Sequence, residues 1–73
     1  MRLSEALSAS PKGEAYHPAA SGYGATTVTT RPDGTYHLAF SVNGDKREER
    51  DFADFSAVEQ FLGDNSDGWE PAM

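Results

Sequence analysis

Hydrophobic residues recur at every second position in the middle of the chain, from Tyr36 to Val42. The residues between them are small or polar. Because successive side chains of a strand point to opposite faces of a sheet, this alternation predicts a strand with one apolar face. The other face then carries His37, Ala39 and Ser41.

Two further strands are predicted, one on each side of this central strand. Residues 25–30 are dominated by threonine and valine, which suit a pleated sheet, and an Arg-Pro-Asp-Gly turn follows at residues 31–34. Asn43-Gly44 is a strong hairpin signal, so residues 45–52 are expected to return as a third strand.

The register of this hairpin depends on the length of its loop. A two-residue loop pairs Val42 with Asp45, whereas a three-residue loop pairs Val42 with Lys46. We favour the longer loop because only that register places Phe52 on the apolar face with Tyr36. The residues before Phe52 are charged throughout, which is typical of a strand at the edge of a sheet.

One helix is predicted after the strands. Ser56 and Glu59 have the spacing of a capping box, with Ser56 as the N-cap, and Gly63 supplies a stop. The helical period places four large apolar side chains on one face, which would cover the apolar face of the sheet. These are Phe55, Val58, Phe61 and Leu62.

The two ends of the chain have less regular patterns. Residues 3–9 fit a short helix, and residues 12–24 are expected to form an irregular arm in which Tyr16 and Tyr23 anchor onto the sheet. Residues 64–73 fit an acidic tail without periodicity, in which Trp69 is the only large apolar group.

Together these elements predict an α+β fold, with a three-stranded antiparallel sheet and one short helix packed on one face. The arm could add a fourth strand. We expect one small domain, with the short helix and arm in residues 1–24, the core in 25–62 and the acidic tail in 63–73. The predicted core is Val28, Tyr36, Leu38, Phe40, Val42, Phe52, Phe55, Val58, Phe61 and Leu62.

Composition limits the classes of protein that the chain can belong to. Its 73 residues suffice for one small core, and the absence of cysteine excludes disulfides and thiol chemistry. No apolar run approaches the roughly 20 residues of a membrane-spanning helix, and no apolar segment of a secretory signal follows Met1. We therefore expect a cytoplasmic protein.

Candidate catalytic residues lack the spacing that their chemistry requires. Neither His17 nor His37 belongs to an HxH, HxxE or HExxH motif. The glycine-rich residues 21–24 lack the lysine of a phosphate-binding loop, and the acids of residues 64–70 do not match a calcium loop. We expect no enzymatic activity, no cofactor and no metal.

The formal net charge of −6 is concentrated in the last third of the chain. Acids and bases balance over residues 1–44, whereas residues 51–73 contain acids but neither lysine nor arginine. Such a surface repels phosphates, so direct nucleic-acid binding is not predicted. It attracts basic grooves, so the expected partner is a protein with a basic nucleic-acid-binding surface. The candidate partner-binding residues are Glu48, Glu49, Asp51, Asp54, Glu59, Asp64 and Asp67.

Two explanations of these acids stay open. They could substitute for the phosphates of a nucleic acid, which follow one another about every 3.4 Å along one strand of DNA. They could instead only keep a small protein in solution.

A hairpin that leads into an Arg-Asp-Phe strand end and then a short helix occupies residues 42–62. Its distinctive positions are Val42, Asn43, Gly44, Arg50, Asp51, Phe52 and Glu59, with apolar residues at Phe61 and Leu62. At these positions the chain resembles the small phage anti-CRISPR proteins that inhibit type I (Cascade-type) surveillance complexes. On the preceding strands the binding positions of that family fall on Val28 and Ala39, so no binding residues are carried over there.

The resemblance implies a non-catalytic inhibitor that acts in the cytoplasm of an infected bacterium. Such a protein would bind the Cas7 backbone subunit and block target DNA with an acidic face that mimics nucleic acid. A different class of function stays open, namely a small phage structural or assembly protein, or a homodimer joined through strand edges. We expect a monomer or a weak homodimer.

Overall fold

Strands from both ends of the chain join the predicted hairpin in one antiparallel sheet. The computed structural model describes residues 1–19, 24–42, 46–63 and 67–73. Its helices are α1 (Leu3–Ala9) and α2 (Phe55–Leu62). Its strands are β1 (Glu14–His17), β2 (Thr26–Thr30), β3 (Tyr36–Val42), β4 (Lys46–Phe52) and β5 (Glu70–Pro71), in the sheet order β4-β3-β2-β1-β5. The predicted α+β class is confirmed, and the short helix predicted for residues 3–9 is present as α1. The described residues form five strands rather than the three or four predicted, and α1 packs on the core together with α2.

The central hairpin has the register that was predicted from the position of Phe52. Val42 pairs with Lys46 and Tyr36 pairs with Phe52, so the connection between β3 and β4 is three residues long. β4 lies at one edge of the sheet, as its charges predicted. The hairpin therefore places each side chain of β4 on a known face.

The N-terminal arm contributes the fourth strand that the sequence left open. Ala15 of β1 pairs with Val28 of β2, and Tyr16 pairs with Thr27. The prediction of an irregular arm is therefore wrong for Glu14–His17. A strand of four residues whose buried member is a small alanine produces too little alternation to be recognised.

The C-terminal segment is folded onto the domain where the structure describes it. Trp69 is only 1% exposed, and its backbone N–H donates to the Met1 carbonyl at 2.8 Å. β5 follows at once and pairs with β1. Burial of an indole ring removes about 150–250 Å² of surface from water. The free energy gained in this way offsets the cost of bringing its polar neighbours to the domain surface. The predicted acidic tail is thus corrected for residues 67–73.

Helix α2 begins with a different cap from the one predicted. Asp54 is the N-cap instead of Ser56, and its Oδ1 accepts a hydrogen bond from the N–H of Ala57 at 2.9 Å. The backbone of Asp54 is extended, with φ −151° and ψ 171°, whereas Ser56 already lies within the helix. The predicted stop at Gly63 is confirmed, since this residue has φ 66°, a conformation that favours glycine.

The core lies between both helices and one face of the sheet. Its aromatic contacts follow the predicted pairing of α2 with β3 and β4, because Phe61 lies 5.6 Å from Phe40 and 5.4 Å from Phe52 between ring centroids. Among the predicted core residues, Val28, Leu38, Phe40, Val58 and Leu62 are buried, and Tyr36, Phe52, Phe55 and Phe61 pack against them while partly exposed. The sequence did not predict burial of Leu3, Ala6, Ala15 and Trp69.

Some predictions fall outside the described residues. They concern the Asn43-Gly44 turn, the glycine-rich residues 21–23, the anchor Tyr23, the acid Asp64 and the burial of Val42. Within the described ranges, neither helix has the length and apolar character needed to traverse a lipid bilayer.

Candidate functional site

The sheet has a second face that the two described helices leave uncovered. We call it the open face. Two rows of directly paired residues cross it, and paired residues of an antiparallel sheet share one face. One row is Glu70, Tyr16, Thr27, Ala39 and Glu49, and the other is Glu14, Thr29, His37 and Asp51.

Carboxylates end both rows of the open face, and His37 is the one basic side chain among the residues between them. Glu14 and Glu70, on β1 and β5, form what we call the β1–β5 margin. Glu49 and Asp51 form the β4 margin on the opposite side. Neighbouring strands are about 4.8 Å apart, so the backbones of Glu14 and Asp51, three strand spacings apart, are separated by about 14 Å. The backbones of Glu70 and Glu49, four spacings apart, are separated by about 19 Å. Ala39, between the margins, is only 8% exposed.

His37 joins the two carboxylates of the β4 margin. Its Nδ1 lies 2.7 Å from Oδ1 of Asp51, and its Nε2 lies 2.8 Å from Oε1 of Glu49. Both contacts cross the β3–β4 ladder on the open face, because Asp51 pairs directly with His37 and Glu49 is two residues away along β4. The imidazole therefore fixes the position of both acidic side chains.

Arg31 completes this cluster from the end of β2. Its Nη1 lies 3.0 Å from the same Asp51 oxygen that meets His37, and its Nη2 lies 3.0 Å from His37 Nδ1. A carboxylate can only accept hydrogen bonds, so the contacts of both ring nitrogens with carboxylates require a doubly protonated imidazolium. When Nδ1 loses its proton, it becomes an acceptor that faces the guanidinium of Arg31.

The ionisation of the cluster follows from these contacts. Hydrogen bonds to Asp51 and Glu49 raise the pKa of His37 above its ordinary value of 6.5, against smaller opposing effects of partial burial and Arg31. The hydrogen bond from His37 lowers the pKa of Asp51 below 3.8, and the positive charge of Arg31 acts in the same direction. The cluster therefore favours imidazolium between two carboxylates.

The β1–β5 margin has fewer positive neighbours on this face. Glu14 accepts a hydrogen bond from the hydroxyl of Thr29 at 3.4 Å. The described basic side chains that lie on the open face, those of Arg31, His37 and Arg47, are all on the β4 side. Tyr16, 40% exposed, stands next to Glu70 as the largest apolar surface of this margin.

The structure divides the predicted partner-binding acids among several surfaces. Only Glu49 and Asp51 lie on the open face. Glu48 pairs with Phe40 and lies on the helix side of β4, while Asp54 caps α2. Glu59 is exposed on α2, and Asp67 lies 3.6 Å from the Met1 amino group. Asp64 lies outside the described residues.

Sequence reasoning missed Glu14 and Glu70 as acids of the open face, and it missed Arg31 as the basic neighbour of Asp51. Glu14 and Glu70 reach the open face only because β1 and β5 form. A strand from the arm was predicted only as a possibility without bounds, and β5 was not predicted. Arg31 was read only as part of a turn. A signal for the role of Arg31 existed. Asp51 pairs with His37, which lies near the start of β3, and Arg31 directly follows the end of the neighbouring strand β2.

Both histidines have defined neighbours in the structure. Both ring nitrogens of His37 are engaged by carboxylates, which leaves neither to act as a base on a substrate. His17, the other histidine, stacks edge-on against Trp69 at 5.2 Å between ring centroids. In the described part of the chain, no group of three or more metal-ligating side chains could hold an ion.

The helix side carries a shallow groove of about 470 Å³. Leu7, Tyr36 and Phe55 line it together with the small residues Ser4, Ser8, Gly13 and Thr30. Its polar groups are hydroxyls, and none of these lining residues is an acid or a base.

No protein-family model, no curated protein and no solved structure matches this chain.

Proposed function

We propose that this chain is a non-catalytic binding protein whose open face docks onto a basic, nucleic-acid-binding surface of a partner protein. The observation that carries the proposal is the placement of Glu14, Glu49, Asp51 and Glu70 along the two margins of an uncovered sheet face. Rigid strands hold these carboxylates, so little conformational entropy is lost when they meet a partner.

The dimensions of the open face suit a substitute for nucleic acid. Glu49 and Asp51 are two residues apart on one strand, about 6.8 Å, which is twice the rise of about 3.4 Å along the helix axis for each phosphate of one DNA strand. The margins are about 14 Å apart at Glu14 and Asp51, close to the width of about 12 Å of the DNA major groove. Lys and Arg side chains that hold two phosphate strands could therefore reach both margins. The β4 margin shares its charge with His37 and Arg31, so the β1–β5 margin is the more negative of the two.

Within this class we propose a phage-encoded inhibitor of a type I CRISPR surveillance complex, which acts in the cytoplasm of the infected bacterium. The similarity of residues 42–62 to small anti-CRISPR proteins supports this choice, as does the basic channel in which such complexes hold nucleic acid. The inhibitor would bind the Cas7 backbone and exclude target DNA.

Competition for target DNA tests the proposal directly. A purified type I surveillance complex is incubated with increasing amounts of the protein, and binding of a labelled target duplex is measured. We expect the protein to displace DNA stoichiometrically, with an apparent affinity that falls as salt rises. DNA binding that is unchanged by a large excess of the protein would refute the CRISPR assignment.

A matched pair of double variants tests the role of the open face. E14Q/E70Q removes two charges from the β1–β5 margin, whereas E5Q/E59Q removes two charges from the exposed surfaces of the helices. Both variants have the same net charge, so they differ only in where the charge is lost. We expect E14Q/E70Q to weaken binding about tenfold or more and E5Q/E59Q to change it only slightly. Equal losses would show that only net charge matters.

The alternative class, a structural or assembly protein or an edge-strand homodimer, draws support from one feature. β4 is a seven-residue strand at the edge of the sheet. An open edge of this length is a template for pairing with another chain.

A further inference from the structure

The outer edge of β4 presents the backbone groups of three residues. Ser41 of β3 exchanges backbone hydrogen bonds with residues 24 and 25, so the odd-numbered residues of β3 face β2 and its even-numbered residues face β4. The partners of those even-numbered residues are the even-numbered residues of β4. The N–H and C=O groups of Arg47, Glu49 and Asp51 therefore point away from the sheet.

A second copy of the chain can satisfy these groups only in certain registers. Two antiparallel edges exchange hydrogen bonds when an outward residue of one copy lies opposite an outward residue of the other. With Glu49 at the centre, Glu49 lies opposite Glu49, and Arg47 lies opposite Asp51 on both sides. Each of these three residue pairs then exchanges two backbone hydrogen bonds.

The charges of β4 select this register over its neighbours. With Glu49 at the centre, Arg47 of each copy faces Asp51 of the other, and Glu48 faces Arg50. Opposite charges directly across a ladder stabilise the pairing, and like charges oppose it. Two neighbouring registers also place outward residues opposite one another. One puts Glu49 opposite Asp51 and Arg50 opposite the second Arg50. The other puts Glu48 opposite the second Glu48 and Lys46 opposite Arg50, so both contain more like-charged pairs.

One like-charged contact remains at the centre, between the two copies of Glu49. Each Glu49 is already bonded to His37 of its own chain at 2.8 Å, which reduces the repulsion when the imidazole is charged. Asp51, which faces Arg47, also contacts Arg31 of its own chain at 3.0 Å. Basic groups of the same chain thus hold both acidic side chains in place on the open face.

We propose that β4 is the docking surface for a second copy of this chain, with Glu49 on the two-fold axis. The two sheets join into one continuous antiparallel sheet, with their open faces on one side and their helices on the other. A single strand edge is small beside the roughly 800 Å² per partner of a standard interface, so the dimer is reversible and forms at high concentration. The proposal gives a register to the edge-strand homodimer named above as the alternative class, and it does not depend on docking of the open face to a partner protein.

Sedimentation of the isolated protein tests the dimer. We expect the wild type to shift from the monomer mass towards twice that mass as concentration approaches the millimolar range. R47E should remain monomeric, because each new glutamate faces Asp51. K12E, which makes the same change of net charge in an exposed turn, should dimerise like the wild type. A wild-type protein that stays monomeric at millimolar concentration, or equal behaviour of R47E and K12E, would overturn the proposal.

Cysteine cross-linking tests the register, since the natural chain contains no cysteine. Residues that form a hydrogen-bonded antiparallel pair have Cα atoms about 5.5 Å apart, within the range of a disulfide. E49C should therefore cross-link rapidly under mild oxidation. E48C is the matched control, because its Cα atoms would be about 8 Å apart, beyond the usual limit of about 7 Å. Cross-linking of E48C that is as fast as that of E49C would contradict this register.

Discussion

His37 and Asp51 face each other directly across the β3–β4 ladder, with Nδ1 of the imidazole 2.7 Å from a carboxylate oxygen. Neither residue is deeply buried, yet together with Glu49 and Arg31 they link the ends of three strands. This arrangement makes the stability of the hairpin depend on the charge of one imidazole.

Stability should therefore fall as the pH rises. The hydrogen bonds to Asp51 and Glu49 raise the pKa of His37 above 6.5, so the folded chain holds the proton more tightly than the unfolded chain does. Their stabilising effect is complete below about pH 6.5 and is lost as the pH passes through the raised pKa. Urea unfolding at several pH values should show a decreasing free energy of unfolding from pH 6.5 upwards.

H37Q is the control for this pH dependence. Glutamine keeps a polar side chain on the open face but does not titrate, so the free energy of unfolding of H37Q should vary less over the same range. A wild-type protein and an H37Q variant with the same pH profile would show that other groups cause the dependence.

Replacement of Trp69 should show that the C-terminal segment is part of the core. Trp69 is 1% exposed, so W69A should lower the free energy of unfolding by about 3–5 kcal/mol. Y16A, at a side chain that is 40% exposed, should cost much less. Denaturant unfolding measures both, and a loss below about 1 kcal/mol for W69A would mean that residues 67–73 are not docked as described.

Two single substitutions distinguish the observed helix cap from the predicted one. D54A removes the oxygen that accepts from the Ala57 N–H and should cost about 1 kcal/mol. S56A should be nearly neutral, because Ser56 is exposed within the helix. The reverse order of the two losses in thermal or urea unfolding would restore Ser56 as the cap.

Gly68 and Gly34 offer a comparison of two glycines with positive φ, 85° and 89°. An alanine at either position adopts a backbone conformation that costs about 1–2 kcal/mol. At Gly34 an added Cβ meets no atom within 4 Å, but at Gly68 it would lie 2.7 Å from Nε2 of His17. G68A should therefore lose more stability than G34A, and equal losses would argue against close packing of His17 there.

The parts of the fold that could be predicted from sequence are those with local signals. The register of β3 and β4 followed from Phe52, since one register alone buried this ring with Tyr36. The helix α2 and its stop at Gly63 followed from periodicity and glycine. These signals involve residues that are close together in the chain and large enough to produce a clear pattern.

The outer strands could not be predicted, because they depend on contacts between distant segments. β5 has two residues and exists through its pairing with β1, which in turn has one small buried residue. Trp69 was the only strong clue, and an isolated indole does not reveal where it docks. The β1–β5 margin of the open face could not be predicted for the same reason, since Glu14 and Glu70 come together only when both strands are in place.

The exchange of backbone hydrogen bonds between Met1 and Trp69 has a practical consequence for handling the molecule. It holds the start of the chain beside β5, at the opposite border of the sheet from β4. Met73 lies two residues after the end of β5 and is 80% exposed. A fluorophore or a surface tether attached at Met73 therefore sits far from β4, so that immobilised molecules keep that border accessible to whatever approaches it.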